Sequence, residues 1–184
     1  MILTQNMLLT ATQESRSRFK YNSINESLTH FDSSAIYDLF ISHSFQNKEL
    51  VIGLMYLFEK TGYKVYIDWV NDSKLDRQNV TPNTAALIKL RIRQSKGTSY
   101  IATSNSSQSK WCPWELGISD GMTGRVCILP VMDSSFKGQE YLGLYPYLEY
   151  GLPNGEANEF YVVNQQYSWK SVSLRKWLIG IDTR

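Results

Sequence analysis

The sequence predicts an α/β fold in which a parallel sheet carries helices on both of its faces. Strand-like and helix-like segments alternate four times between residues 36 and 131. Most connections between these segments are short, and the strand-like runs are mostly apolar rather than alternating with polar residues. Continuous apolar strands of this kind are typical of parallel sheets that are buried between two layers of helices.

Each element of this alternation follows from a local pattern. The four predicted strands are apolar, β-rich runs at residues 36–41, 63–67, 98–103 and 125–131. The three predicted helices cover residues 47–61, residues 81–94 and a segment that opens at Lys110. Asn47 is the candidate N-cap of the first helix, and Thr81 followed by Pro82 is a cap and first-turn pair for the second. Because the connections between parallel strands cross over in a right-handed sense, only a few arrangements of these strands in the sheet are possible.

The two ends of the chain lack this alternation. Residues 1–34 form a polar N-terminal extension that is compatible with a loose helix or a flexible leader. Residues 133–184 form a C-terminal extension that is expected to pack on the same domain. Within it, residues 138–155 hold four tyrosines among Gly and Pro and are predicted to be an ordered loop, either a lid or an interface. A short strand at residues 160–163 and a terminal helix at residues 172–179 are expected to follow.

Composition and charge exclude several classes of protein. The 184 residues fit one domain with extensions, and 19 basic against 17 acidic residues give a net charge of +2, far from that of a dedicated nucleic-acid binder. No apolar run is long enough for a transmembrane helix. Two cysteines make no disulfide framework, and two histidines cannot build a His-rich zinc site. We therefore expect a cytoplasmic protein with reduced thiols and no metal.

Candidate functional residues follow the strands at the end of the sheet where ligands bind in such folds. These positions after the first two strands and at the start of the third helix are Ser42, His43, Phe45, Asp68, Trp69, Trp111 and Glu115. The Ser- and Asn-rich loop at residues 104–109 lies at the same end. Its hydroxyl groups and the helix-start amides offer a possible cradle for an anion.

Glu115 is the strongest candidate for a catalytic residue at these positions. Helical spacing places Trp111, Ile118 and Met122 on its side of the helix, so a carboxylate is set into an apolar and aromatic stripe. Such a carboxylate costs free energy unless it is paired or used. Two interpretations stay open at this point: a catalytic carboxylate, or a glutamate that complements the helix dipole or pairs with a cation.

Other arrangements have weaker support. His43 lies between Ser42 and Ser44, but no nucleophile elbow is present and residues adjacent in sequence do not face each other well. Cys112 lies near a helix start, where the pKa of a thiol is lowered, but its only candidate base is His43. The basic residues of the second helix are predicted to form a solvated face: Lys89, Arg91 and Arg93.

Three sequence boxes, taken together, resemble a Toll/interleukin receptor (TIR) domain of prokaryotic type. They read YDLFISHS at residues 37–44, GYKVYID at residues 62–68 and SKWCPWELG at residues 109–117. Each of these segments alone is weak evidence for the family, whereas the three segments in this order and at this spacing are specific for it. The resemblance covers residues 35–132 and implies a flavodoxin-like, doubly wound parallel sheet of four to five strands, with both extensions outside it.

The resemblance also implies a function. Many family members, often in Thoeris-like anti-phage defence, cleave NAD⁺ between nicotinamide and ribose and yield ADP-ribose or a cyclic ADP-ribose-type signal. It assigns catalysis to Glu115 and, with less support, substrate binding to a set around it: Ser42, His43, Phe45, Asp68, Trp69 and Trp111. NAD⁺ is then a substrate, and no cofactor is implied.

The family resemblance further implies partners. We expect a homo-oligomer formed through TIR–TIR contacts, which is able to complete the site, and a downstream effector that responds to a nucleotide signal. No nucleic acid or membrane partner is expected. Two other functions stay open: a non-enzymatic TIR interaction module, and a nucleoside deoxyribosyltransferase-like enzyme, which shares the sheet and a catalytic glutamate.

Overall fold

One central sheet organises the chain in the structure, a computed structural model that describes residues 1–18, 34–72, 81–132, 140–151, 159–167 and 169–182. Its strands are β1 (Leu3–Thr4), β2 (Tyr37–Ser42), β3 (Val65–Tyr66), β4 (Ser95–Ala102), β5 (Val126–Met132), β6 (Tyr147–Tyr150), β7 (Phe160–Val163) and β8 (Ser171–Ser173). The helices are α1 (Gln5–Arg18), α2 (Lys48–Lys60), α3 (Asp68–Asn71), α4 (Pro82–Arg93), α5 (Trp111–Thr123) and α6 (Leu174–Trp177).

The strand order confirms the predicted fold class. The order is β3-β2-β4-β5-β6-β7-β8, and β1 also pairs with β5. The first five strands of this order are all parallel to their neighbours. With β2 counted as the first strand, they form the flavodoxin-like order 2-1-3-4-5. β7 and β8 then extend the sheet in antiparallel fashion.

Helices cover both faces of the sheet, as predicted. On one face, α2 packs on Leu39 and Ile41 of β2 and is itself covered by α1. On the other face, Phe40 of β2 packs against α4, and α5 covers β4 and β5. Because side chains alternate along a strand, Ser42 points to the same face as Phe40, toward α5.

The helix α1 lies close against α2 because of a glycine. A Cβ atom at Gly53 would lie 2.0 Å from the carbonyl oxygen of Leu8 and 2.7 Å from Oγ1 of Thr12. The Thr12 hydroxyl group donates to the carbonyl oxygen of Glu49 at 2.7 Å. The helical alternative for the N-terminal extension is therefore the one observed at residues 5–18. The division of the chain at residues 34 and 132 stays a prediction, although strands from both extensions join the same sheet.

In the C-terminal region, the prediction of a loop is wrong in the described part, and the terminal helix is shorter than predicted. The described part of the predicted tyrosine-rich loop contains a 3₁₀ turn (Glu140–Leu144) and the parallel strand β6, in which Leu148 and Tyr150 are buried. Its residues 138–139 and 152–155 lie outside the described residues. The terminal helix is reduced to α6, because Val172 pairs with Val162 as part of β8. The strand predicted at residues 160–163 is confirmed.

The predicted solvated face of α4 is wrong at Arg91, whose exposed fraction is 1%. Arg91 lies three residues after Ile88, so it shares the inner side of the helix. Its guanidinium group donates two hydrogen bonds to the carboxylate of Asp72, each 2.8 Å long. The Tyr66 hydroxyl group donates to the same carboxylate at 2.8 Å. Burial and the Asp72 charge raise the pKa of Tyr66 far above its usual value.

Within the described residues, no helix is long and apolar enough to cross a membrane.

Candidate active site

Glu115 lies at the carboxyl rim, the residues that follow the carboxyl ends of β2, β3 and β4 together with the start of α5. Its exposed fraction is 0%. The Ser42 hydroxyl group donates to Oε2 of Glu115 at 2.7 Å, which joins the last residue of β2 to the second turn of α5. A hydrogen bond to a carboxylate is stronger than one between neutral groups, so Ser42 fixes the position of this carboxylate.

The stripe predicted around Glu115 is only partly observed. Trp111 and Ile118 are half-buried and pack against the apolar cluster that contains Ile88 and Ile92 of α4, but Met122 is 37% exposed. The fully buried side of α5 instead consists of Cys112, Glu115, Leu116 and Ser119. The side of α5 that carries Glu115 therefore faces the sheet, with Trp111 at its margin.

His43 is held by hydrogen bonds at both of its ring nitrogens. Its Nδ1 lies 3.0 Å from the carbonyl oxygen of Ile41, and the indole N–H of Trp69 donates to its Nε2 at 2.9 Å. These bonds assign the neutral tautomer, with the proton on Nδ1. Oδ1 of Asp68 lies 3.4 Å from Nε2. Because both ring nitrogens are engaged, His43 orients Trp69 and is not placed as a catalytic base.

The outer part of the rim is aromatic and carries one lysine. Phe45 is 62% exposed, while Trp69 is half-buried. The Lys48 ammonium group lies 4.9 Å from the centroid of the Phe45 ring and 4.8 Å from that of Trp69. Lys48 is not among the residues predicted for the site, since its only signal in the sequence is its position at the start of the helix that follows β2.

Asn47 links two loops of the rim instead of capping α2. It occupies the N-cap position, as predicted, but makes no side-chain cap hydrogen bond. Its amide nitrogen donates to Oγ1 of Thr103 at 2.7 Å, and its amide oxygen accepts a hydrogen bond from Asn105 at 2.8 Å. The loops after β2 and β4 are thereby held together.

The anion cradle predicted at residues 104–109 has little support. Oγ of Ser109 accepts hydrogen bonds from the backbone N–H groups of Trp111 and Cys112, both at 3.3 Å. Pro113, the next residue of α5, has no N–H to offer. The Ser106 hydroxyl group donates to the carbonyl oxygen of Thr103 at 2.8 Å. The Ser106 hydroxyl group and the amides of Trp111 and Cys112 are therefore already engaged within the protein.

The cysteines are not placed as nucleophiles. Cys112 and Cys127 are free thiols, and both are fully buried. Burial raises the pKa of Cys127 to about 12. The weaker hypothesis that Cys112 is a nucleophile gains no support from this arrangement.

The predicted site residues thus form two directly bonded groups. Ser42 and Glu115 form the first, and His43 and Trp69 form the second, with Oδ1 of Asp68 3.4 Å from Nε2 of His43 beside it. Phe45 joins the second group through Lys48. Trp111 lies one helical turn before Glu115 and packs edge-on against Trp114, with ring centroids 5.2 Å apart.

Comparisons with known proteins show the family of this chain. No family model matches the sequence. A protein of Bacillus cereus (strain MSX-D12) named "Probable 3' cyclic ADP-D-ribose synthase ThsB'" is 40% identical over 162 residues, covering 85% of this chain and 83% of that protein. A protein of Cytobacillus dafuensis named "Putative cyclic ADP-D-ribose synthase TIR2" is 30% identical over 137 residues, covering 73% of this chain but only 31% of that protein.

Among solved structures, the TIR domain of the Toll-related receptor TRR-2 from Hydra magnipapillata matches with a TM-score of 0.47 and 20% identity. The match covers 60% of this chain and 82% of that domain. A likeness at this level does not assign the chain to a family. The Bacillus cereus relative does, because its identity of 40% extends over most of both proteins. The chain therefore belongs to the ThsB' family of Thoeris-like prokaryotic TIR proteins.

Proposed function

We propose that this protein cleaves the nicotinamide–ribose bond of NAD⁺ and forms a cyclic ADP-ribose-type signal in anti-phage defence. The observation that carries the proposal is the buried carboxylate of Glu115, held by Ser42 at the rim where ligands bind in this fold. The names of the two relatives, both given as cyclic ADP-D-ribose synthases, supply the substrate class.

One carboxylate is enough for the first step. When the C–N bond of NAD⁺ breaks, its electron pair passes to the cationic pyridinium ring, and nicotinamide leaves as a neutral base. No general acid is needed, unlike in a glycosidase with its two carboxylates. Glu115 stabilises the positive charge that develops on the ribose, and the Ser42 hydroxyl group keeps the carboxylate in place.

The second step decides the product. A nucleophile in the adenosine half of the same molecule gives a cyclic product, whereas water gives ADP-ribose. If the nucleophile is a hydroxyl group or water, it loses a proton as the new bond forms, and Glu115 is the proposed acceptor. The apolar rings of Phe45, Trp69 and Trp111 line the rim and favour the cyclic product by excluding water.

The burial of Glu115 implies that the rim opens before the reaction. The exposed fraction of Glu115 is 0%, so the ribose of a dissolved NAD⁺ molecule cannot reach its carboxylate in the observed conformation. We propose that association between copies of the chain, as the family resemblance implies, accompanies this opening. The hydrogen bond to His43 then keeps Trp69 in position as the rim rearranges.

The deciding experiment measures NAD⁺ loss and product identity by chromatography with mass detection. The wild-type protein is compared with Glu115→Gln and with the control Glu14→Gln, which changes an exposed glutamate of α1. The assay is run at high protein concentration and with lysate of phage-infected cells, because assembly or a trigger is expected. We expect release of nicotinamide that is lost in Glu115→Gln alone. Absence of glutamate-dependent NAD⁺ loss in every condition would leave the interaction module as the function.

A further inference from the structure

We propose that Lys48, held between Phe45 and Trp69, binds the diphosphate of the dinucleotide substrate. This inference rests on the proposed function and adds to it a residue that no sequence motif identifies. The ligand chemistry is that of a nucleoside diphosphate group, which carries two negative charges between the two halves of NAD⁺.

The geometry fixes a positive charge at the outer rim. The Lys48 ammonium group lies within 5 Å of the centroids of both rings, at 4.9 Å from Phe45 and 4.8 Å from Trp69. Cation–π contacts of this kind restrict a side chain that is otherwise flexible. Trp69 is itself oriented by its hydrogen bond to His43. The ammonium group is therefore pre-positioned, while its outer side stays open to solvent because Lys48 is exposed.

The position of Lys48 in α2 is unfavourable for the helix. Lys48 is the first residue of α2, where the positive end of the helix dipole repels a cation. The carboxylate of the adjacent Glu49 forms an ion pair with Arg16 at 2.8 Å, so it does not neutralise the charge of Lys48. No carboxylate of the described residues forms an ion pair with Lys48. The contacts of its ammonium group among the described residues are with two aromatic rings, which leave its positive charge open to an anionic ligand.

Binding of an anionic substrate beside two carboxylates also requires a cation at the site. The substrate is an anion, while the inner rim carries the carboxylates of Glu115 and Asp68. The amides at the start of α5 are not a substitute, since Ser109 occupies two of them and Pro113 lacks one. Lys48 follows β2, whose last residue Ser42 bonds Glu115, and its ammonium group contacts the exposed ring of Phe45. With a ribose at Glu115, the proposed binding mode puts the diphosphate at the ammonium group and the adenosine at the Phe45 ring.

The test compares the steady-state kinetics of Lys48→Met with two controls. Lys60→Met removes the same charge from the other end of α2, about 18 Å away for 12 residues. Lys110→Met removes an exposed charge that lies at the same rim. We expect Lys48→Met to raise KM for NAD⁺ by about ten-fold with kcat within about two-fold, as for the loss of one charge-assisted contact in the bound state. Both controls should stay within about two-fold, and Lys48→Arg should recover most of the loss.

A second substrate identifies the diphosphate as the group that is bound. Nicotinamide riboside contains the reacting bond but no phosphate, so its KM should not respond to Lys48→Met. An unchanged KM for NAD⁺, or an equal rise for both substrates, would overturn the subsite while leaving the proposed function intact. If no glutamate-dependent NAD⁺ loss is found, calorimetric titration with ADP-ribose decides. About ten-fold weaker binding by Lys48→Met than by Lys60→Met supports the subsite, and equal binding refutes it.

Discussion

The substitution Gly53→Ala tests the close packing of α1 on α2. The added Cβ atom would lie 2.0 Å from the carbonyl oxygen of Leu8, whereas ordinary contacts begin near 3.4 Å. The two helices must therefore separate locally by about 1.4 Å, because the obstacle is backbone and not the end of a flexible side chain. The hydrogen bond from Thr12 to Glu49 spans the same interface and is lost with that separation.

The expected cost follows from three contributions. Overpacking costs about 1–3 kcal/mol, the lost hydrogen bond costs about 1 kcal/mol, and the better helix propensity of alanine returns about 1 kcal/mol. The free energy of unfolding should fall by about 2 kcal/mol in total. For a chain of this length, that lowers Tm by about 4–8 °C.

The assay is thermal unfolding followed by circular dichroism, with Gly121→Ala as the matched control. Gly121 also lies in a helix, but a Cβ atom there meets nothing within 4 Å. The control should gain about 0.5–1 kcal/mol and raise Tm by about 1–4 °C. If Gly53→Ala is as stable as the wild type, or more stable, the close helix contact is not present in solution.

Three further predictions concern the site and the buried charges. Ser42→Ala should lower kcat/KM for NAD⁺ by about 10–100-fold in steady-state kinetics, since Glu115 loses a hydrogen bond to a charged group. Arg91→Met should lower the free energy of unfolding in urea by about 3–5 kcal/mol, because it leaves the buried carboxylate of Asp72 without its cation, and adding Asp72→Asn should restore part of the loss. The Cys127 thiol, whose pKa rises from 9.0 to about 12 on folding, favours the folded state fully below pH 9 and loses this effect toward pH 12. Stability in urea should therefore fall less steeply between pH 8 and pH 10 in Cys127→Ala than in the wild type, and equal slopes would contradict the assignment.

The parallel part of the sheet could be predicted because its strands are buried on both faces. Runs such as residues 36–41 and 125–131 are apolar along their whole length and stand out in the sequence. β6 could not be recognised in the same way. It has four residues, of which only Leu148 and Tyr150 point inward, and it lies in a stretch whose composition is typical of loops.

Local patterns also failed where a contact comes from a distant part of the chain. The charge of Arg91 favoured a solvated position, but its burial depends on Asp72, which lies 19 residues away. Lys48 was missed because one of its two ring contacts, that with Trp69, comes from α3, a distant segment of the chain. The gathering of site residues at one rim was predictable from topology, whereas the bond between Ser42 and Glu115 required the side-chain alternation of β2.

The complete burial of Glu115 has a consequence for how the proposed enzyme responds to its own concentration. If about one molecule in a hundred has an open rim, the apparent affinity for NAD⁺ is about a hundred-fold weaker than that of the open form. A second copy that binds only open molecules raises this fraction. The resting protein would then coexist with a large pool of NAD⁺, and a rise in local protein density would suffice to start consumption.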